Sequence, residues 1–362
     1  MGSYTQNGTQ SHSPYLISSE MNAPFKTILS GCLEFGNQRS YEQVLKLYQH
    51  RTENYYRNDI LLKAEEVFQE SSFSLSIPRF IKECPEKSWK NTLNLLDYMA
   101  EYAIAGDLRA WVIQEGTLVV QRVIEPSGDK TATQAFLQGR ELVKEQGMEE
   151  EAMQSLSRAI QKFERHALAY ERRGYVNFRL RNYADALYDF TKSIDINPNM
   201  PEPYWGRANT KIKKQDLPGA IADLEQAIAK SIPHESIYWS ARRLKGELHL
   251  QLGELQKAIF ELKLVTKRKF AEDDPNFKWQ KNALYNYGRA LFEVGQYAES
   301  VQVFNQMMNL DAHRAEAPSK ADQFLNRGLA RQKAGESGFV SDFKEAAGLG
   351  SKKAAELLEA CA

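Results

Sequence analysis

Apolar positions over residues 132–362 recur at helical spacing, in stretches of about a dozen residues that come in pairs. Short polar turns separate the two stretches of each pair, which is the pattern of a helical hairpin. One hairpin cannot bury its own apolar face, so the pattern predicts hairpins stacked into a solenoid. The predicted turns are Arg181-Asn182, Gln215-Asp216, Gly253-Glu254, Gly295-Gln296 and Gly335-Glu336.

Small residues mark the first helix of each predicted hairpin. Gly174 is followed 34 residues later by Ala208, and the next intervals are 38, 42 and 40 residues. A second small residue comes 12 positions after most of them, and a large apolar residue 4 positions after that. Helices approach closely only where side chains are small, so these positions should be helix crossings. The series is Gly139, Gly174, Ala208, Gly246, Gly288 and Gly328.

Opposite charges recur in the same frame, 16 positions apart, or 15 in the last hairpin. The cation precedes the small residue of the first helix, and the acid precedes the large residue of the second. These points face each other in a hairpin, so we expect an ion pair, worth about 0–1 kcal/mol if it is exposed. The pairs are Arg173 with Asp189, Arg207 with Asp223, Lys245 with Glu261, and Arg327 with Asp342.

This array resembles the tetratricopeptide repeat (TPR) family. The matching residues in the clearest hairpin are Tyr170, Gly174, Ala186, Phe190 and Pro198. The resemblance covers residues 132–362, or about six hairpins. It implies a mainly α fold, a right-handed α-solenoid that ends in a capping helix, "SKKAAELLEACA".

The resemblance also implies a concave groove, lined by the first helix of each hairpin, that binds a protein or peptide partner. Arg, Tyr, Trp and Asn are frequent at these positions and suit an acidic or C-terminal segment. Arg172, Arg179, Asn209 and Arg243 are expected to be exposed and to act together. The implied partner-binding residues are Arg140, Lys144, Arg172, Tyr175, Arg179, Trp205, Asn209, Lys213, Arg243, Tyr285, Asn286 and Arg289. Acids at groove positions include Glu171, Glu202, Glu247, Glu293 and Asp322.

Residues 25–131 have a different pattern, which predicts a small α+β domain of no recognised family. Its β-like segments are 26–36, 73–77 and 110–124, the last with a hairpin turn at Glu115-Gly116. Its helical segments are 41–56, 59–70 and 85–105, the last closed by Gly106 at a C-cap position. An all-helical domain that merges into the solenoid is the alternative. Residues 1–24 are predicted to form a disordered tail.

Composition narrows the function. Lys+Arg and Asp+Glu are both 47, so the net charge is zero, which disfavours nucleic acid as the main partner. The 3 cysteines, Cys32, Cys84 and Cys361, form no CxxC pair and fit a reducing, cytoplasmic location with buried structural thiols. Neither a signal peptide nor an apolar run long enough to span a membrane is found. Phosphate-loop, zinc-protease and nucleophile-elbow motifs are missing too, so no cofactor or metal is expected.

Two functions remain. The first is a non-enzymatic interaction scaffold that binds a partner in the groove. The alternative is an enzymatic or regulatory N-terminal domain that the repeats target. A cleft with strongly shifted titratable groups within residues 25–130 would favour the alternative, whereas a shallow domain packed on the first repeat would favour the scaffold. Homo-oligomerisation stays open.

Overall fold

The computed structural model describes residues 24–310 and 318–360. The chain divides into two compact units between Gln215 and Asp216, here called the first unit and the second unit. The predicted disordered tail lies outside the described residues, apart from Pro24.

The first unit begins with a five-stranded antiparallel sheet in the order β2-β3-β1-β4-β5. Its strands are β1 (Phe25–Glu34), β2 (Phe68–Gln69), β3 (Ser74–Cys84), β4 (Ala105–Gln114) and β5 (Thr117–Ile124). Its helices are α1 (Gln38–His50), which continues as a π-helical turn over Arg51–Tyr55, α2 (Ala64–Val67) and α3 (Glu86–Ala100). Residues of α1 and α3, including Tyr48 and Leu96, pack with Leu33 and Leu108 of the sheet in one apolar core. The sheet confirms the α+β prediction and overturns the all-helical alternative.

Two predicted helices of this domain are wrong in extent. Only Ala64–Val67 is α-helical within residues 59–70, and Phe68 pairs with Leu75 as a strand. The backbone before it bonds to distant groups instead: Leu62 accepts from the Tyr48 hydroxyl, and the Leu61 amide donates to Thr92 Oγ1, each at 2.9 Å. These tertiary hydrogen bonds replace the helical ladder.

Gly106 is the second correction, because it lies inside β4 and caps no helix. Helix α3 ends at Ala100. The φ of Gly106 is +100°, and a Cβ there would lie 2.0 Å from the Cys32 carbonyl oxygen of β1. Glycine is therefore required by the close approach of two strands. The predicted turn at Glu115-Gly116 is confirmed, with φ of +50° and +77°.

Among the described residues from Thr131 onwards, thirteen α-helices and one 3₁₀ turn (Phe277–Trp279) follow and no strand occurs, which confirms the helical-hairpin prediction. The first unit contains α4 (Thr131–Leu142), α5 (Glu149–Lys162), α6 (Ala167–Arg179), α7 (Tyr183–Ile196) and α8 (Pro201–Lys213). The second contains α9 (Leu217–Lys230), α10 (Ser236–Gln251), α11 (Leu255–Lys267), α12 (Gln280–Glu293), α13 (Tyr297–Met308), α14 (Lys320–Ala334), α15 (Phe339–Gly348) and α16 (Lys352–Glu359). The right-handed twist stays a prediction.

The predicted crossings lie against the predicted large side chains. A Cβ on Gly288 would come within 2.7 Å of the Phe304 ring, and one on Gly328 within 2.7 Å of Phe343. Gly206, which the sequence reading missed, is tighter: its Cβ would lie 2.3 Å from the ring of Phe190 in the preceding hairpin. The first residue of each predicted turn has a positive φ: Arg181, Gln215, Gly253, Gly295 and Gly335.

Three of the four predicted ion pairs within hairpins are confirmed, and their acids are buried rather than exposed. The pair of Arg207 with Asp223 stays a prediction. Asp189 is 1% exposed and accepts from Arg173 Nε at 3.0 Å and Nη2 at 2.7 Å. Asp342 is 2% exposed and accepts from both Arg327 and Arg331. Glu261 is buried as well and pairs with Lys245 at 3.1 Å. A buried carboxylate that loses its partner costs more than an exposed one, so the small value expected above does not apply.

Candidate partner-binding surface

The first-helix face is the set of groove positions on α4, α6 and α8 in the first unit and on α10, α12 and α14 in the second. In the first unit strand β4 of the sheet lies against this face. Arg109 of β4 donates Nη1 to Glu202 Oε1 of α8 at 2.7 Å and Nε to Asp107 at 3.0 Å. Strand β4 also contacts α6, where Glu171 is 4% exposed. The N-terminal domain therefore occupies the first-helix face of its own repeats.

Further polar contacts hold the same two parts together. Arg165, just before α6, reaches Glu34 of β1 at 3.2 Å. Thr133 of α4 donates to the Ile104 carbonyl at 3.0 Å. The Lys130 ammonium donates to the Tyr102 and Ala103 carbonyls. The contact is thus an extended polar interface rather than one isolated ion pair.

Burial sets the electrostatics of this contact. It raises the pKa of Asp107 and of Glu171, because the charged carboxylates lose water. Burial acts in the same direction on Glu202, but the charge of Arg109 and its hydrogen bond outweigh it and hold the pKa of Glu202 below its usual value. The surroundings therefore favour the charged form of Glu202, which Arg109 pairs with, and disfavour the charged forms of Asp107 and Glu171.

Most predicted partner-binding residues of the first unit make contacts inside that unit. The Arg172 side chain is 12% exposed and lies 3.2 Å from Glu171, so its expected exposure is wrong. Arg140 pairs with Glu125 at 2.6 Å, Arg179 with Glu149 at 2.6 Å, Lys144 with Glu141 at 2.7 Å, and Asn209 donates to the Trp205 carbonyl at 2.8 Å. Tyr175 and Trp205 are half-buried, whereas Lys213 is exposed at the end of α8.

Arg243 of α10 is also buried, contrary to expectation. It is 6% exposed, donates to Glu247 at 2.7 Å, and its guanidinium lies 4.1 Å from the centre of the Trp279 ring. A guanidinium at this distance from an aromatic ring makes a favourable cation–π contact. Arg243 therefore orders the segment before α12 rather than offering a free charge.

A half-exposed polar surface remains on α12 and α14. Asn326 Nδ2 donates to the Tyr285 hydroxyl at 3.0 Å, which links the two helices. Asn286 Nδ2 donates to Asn282 Oδ1 at 2.9 Å, one helical turn away. Arg289 is exposed, and in the part of the chain that the structure describes it pairs with no carboxylate. The α12–α14 surface, as it is called below, consists of Asn282, Tyr285, Asn286, Arg289 and Asn326.

The α12–α14 surface brings together three of the predicted residues: Tyr285, Asn286 and Arg289. Sequence reading left Asn282 out, although it lies four residues before Asn286 on the same helix. Burial raises the pKa of Tyr285, so its phenol stays protonated at neutral pH and can donate while it accepts from Asn326. The surface therefore offers amide groups, one phenol and the positive charge of Arg289. Exposed Asp322 lies beside it on α14, and its charge also raises the pKa of Tyr285.

The cysteines of the sheet domain are poor nucleophiles. Burial raises the pKa of Cys32 to about 12 and that of Cys84 to about 11, which keeps both thiols protonated at neutral pH. Over residues 24–310 and 318–360 no cluster of three metal-ligating side chains is found. The helices in the same residues include none with the length and hydropathy of a membrane span.

Paired helices that cross at small residues, with a left-handed residue at each turn, define a helical-repeat protein. Family models of the tetratricopeptide repeat match residues 167–200, 206–273 and 282–314. The chain therefore contains tetratricopeptide repeats between residues 167 and 314. The sheet domain lies outside these matches.

Curated relatives match half of the chain. RNA polymerase II-associated protein 3 of Xenopus tropicalis is 24% identical over 177 residues, which are 48% of this chain and 27% of the relative. The Xenopus laevis protein of the same name is 22% identical over the same length. The chain therefore corresponds to about a quarter of these relatives.

Solved structures with similar helical repeats include YrrB, a TPR protein with an unusual peptide-binding site. It has a TM-score of 0.48 and 16% identity, over 57% of this chain and 98% of YrrB. PilF of Pseudomonas aeruginosa has a TM-score of 0.49 and 13% identity, over 63% of this chain and 97% of PilF. Likeness at this level does not bear on binding.

Proposed function

We propose that this protein is an interaction scaffold whose α12–α14 surface binds an extended peptide segment with a carboxylate placed at Arg289. The proposal depends on one observation: exposed Arg289 lies on the same helix face as half-exposed Asn282 and Asn286, and half-exposed Asn326 lies on the next first helix. A scaffold role is what the TPR family supports, and the partner class is the further step.

The chemistry of the surface suits a peptide backbone. An asparagine amide donates and accepts, so it can bond to both the N–H and the C=O of an extended chain. Asn286 and Asn282 are hydrogen-bonded to each other through one donor and one acceptor, which fixes their amide orientation. A carboxylate at Arg289 would add a charge-assisted hydrogen bond, worth about 1.5–3 kcal/mol.

The first unit is the weaker candidate for the same role. Glu171 and Glu202 are buried there, and Arg109 of the chain's own sheet occupies the position that a partner would need. A partner peptide could bind only after displacing β4. We therefore assign the sheet domain a structural role in the first unit and place partner binding in the second.

An enzymatic or regulatory sheet domain is the other candidate, and one observation bears on it. Four carboxyls have burial-raised pKa values: Glu34, Asp107 and Glu171 lie where the sheet packs on the repeats, and Asp97 of α3 pairs with Arg122 of β5. Groups in such a contact stabilise or strain the fold, whereas catalysis needs them beside a substrate. This placement favours the scaffold. A cytoplasmic location stays part of the proposal, and the name of the Xenopus relatives, matched over 27% of their length, does not assign RNA polymerase II as the partner.

Capture from native lysate with three baits tests the proposal. The baits are the wild type, Asn286→Ala/Arg289→Ala on the α12–α14 surface, and Gln256→Ala/Lys257→Ala as a control that removes one amide and one cation from the exposed face of α11. Loss of two hydrogen bonds, one of them charge-assisted, should lower capture of the specific partners at least tenfold. The control bait should capture them at wild-type levels.

Two further readouts separate binding from folding. All three baits should melt at the same temperature, because the replaced side chains are partly or fully exposed. Capture should weaken with salt, since the carboxylate contact is screened. Equal capture by all three baits would show that partners bind elsewhere on the molecule.

A further inference from the structure

The two edges of the sheet are built differently. Strand β2 covers only the start of β3, through pairs with Ser74 and Leu75. The rest of that edge has residues that block strand addition, because proline lacks an N–H and exposed charges disfavour a neighbouring strand. These residues are Pro78, Arg79, Lys82 and Glu83.

The opposite edge, β5, lacks these features. Among the described residues, β5 pairs with β4 alone. Its sequence, TLVVQRVI, is rich in β-branched residues and has no proline. Its single charge, Arg122, is neutralised by Asp97 of α3 at 2.7 Å. Val119 is 49% exposed and Val123 is 46% exposed. Such an edge is a template for a further strand.

We infer that β5 pairs with β5 of a second copy of this chain, antiparallel, about a two-fold axis at Gln121. About a two-fold axis, if one residue contacts a second residue in the other copy, the reverse contact also forms. The β5 edge must therefore be complementary to itself. With the axis at Gln121, exposed Val119 lies opposite Val123 of the second copy, and the reverse contact is identical. The two exposed valines of each copy are then covered by one another.

Charge selects this register. An axis at Arg122 would place two arginines directly opposite each other, which destabilises a strand pair. The axis at Gln121 instead places Arg122 opposite Val120 of the second copy. The resulting sheet is continuous across the two copies and closes both β5 edges.

A bulge near the hairpin interrupts the β4–β5 ladder. The β4–β5 register skips Val119, since Val112 pairs with Val120 and Ile113 with Leu118. From Val120 to Ile124 the ladder is regular. The two-fold axis lies within this regular stretch, and Val119 is the first residue beyond it.

Charge-swapped variants test both the pairing and its register. Val119→Lys/Val123→Lys places lysines opposite lysines, so sedimentation at about 100 μM should find a monomer where the wild type is a dimer. Val119→Lys/Val123→Glu places lysine opposite glutamate in both contacts and should restore the dimer. Ile81→Lys, at a 51% exposed position of β3 near the other edge, is the control and should remain dimeric.

Each outcome decides the inference. A monomeric wild type at that concentration overturns it, as does a dimeric Val119→Lys/Val123→Lys variant with an unchanged thermal melt. A monomeric Val119→Lys/Val123→Glu variant overturns the register at Gln121. The partner-binding proposal is unaffected in each case, because it concerns the second unit.

Discussion

The first-helix faces of the two units have different residues at equivalent repeat positions. Six residues before the small crossing residue, α8 has Glu202 and α12 has Asn282. Two residues before it, α6 has Arg172 and α12 has Asn286. Glu202 is buried and pairs with Arg109 of the sheet, and the Arg172 side chain is 12% exposed beside Glu171, whereas both asparagines are half-exposed and face no charged partner in the described residues.

This difference shows that a polar row on a repeat helix does not by itself mark a partner site. Buried acids require a cation, and Arg109 of the sheet supplies it. Amides need no counter-charge and remain hydrogen-bonded to solvent, so a face rich in asparagine can stay open. The same repeat position therefore serves internal assembly in one unit and, as we propose, partner binding in the other.

The largest expected effect comes from removing the arginine of the covered face. Arg109→Met leaves Glu202 and Asp107 buried without their cation, and breaking such a pair costs about 3–5 kcal/mol. The matched change on the open face, Arg289→Met, should alter the free energy of unfolding by less than about 0.5 kcal/mol. Denaturant titrations of both variants check this, and similar losses would remove the distinction between the two faces.

Helix crossings, in contrast, should be equally sensitive in both units. Gly206→Ala places a Cβ 2.3 Å from Phe190, and Gly288→Ala places one 2.7 Å from Phe304. Overpacking of this kind costs roughly 1–3 kcal/mol. Gly348→Ala is the control, because no atom lies within 4 Å of the added Cβ, and it should be neutral or slightly stabilising. Thermal melts in which all three variants match the wild type would contradict the packing assigned to the crossings.

The smallest effect is a change with pH. Burial raises the pKa of Glu171, so the folded protein keeps this proton at pH values where the unfolded chain has lost it. The protonated Glu171 therefore contributes its whole stabilisation at pH values below its pKa in the unfolded chain. This stabilisation is lost as the pH rises through its pKa in the folded protein. Glu171→Gln removes this dependence. The stability of the variant relative to wild type should increase between about pH 4 and pH 7. A constant difference would mean that folding does not shift the pKa of Glu171, and a difference that falls with pH would mean that the fold stabilises its anion.

The hairpins were predictable because their signals are local. Small residues 12 positions apart and turns such as Gly295-Gln296 determine a crossing within one hairpin. The helix predicted over residues 59–63 was wrong, because the backbone of Leu61 and Leu62 hydrogen-bonds to the side chains of Thr92 and Tyr48 instead of forming helical hydrogen bonds. The packing of β4 against the first-helix face was not predictable. Arg109 and Glu202 are 93 residues apart, and no spacing rule links a strand to a repeat helix. Acids at groove positions, Glu171 and Glu202, were the one available sign that a cation must come from elsewhere.

A double-mutant cycle between Arg109 and Glu202 tests most directly whether the sheet domain fills the first-helix face of its own repeats. The variants are Arg109→Met, Glu202→Leu and the double variant, each unfolded in denaturant. Each single change should be strongly destabilising, because it leaves one buried charge without its partner. The double variant should recover much of the loss, since replacing a whole buried pair by apolar residues is often close to neutral. Losses that simply add would mean that Arg109 and Glu202 do not interact in solution, which would contradict the placement of β4 against α8.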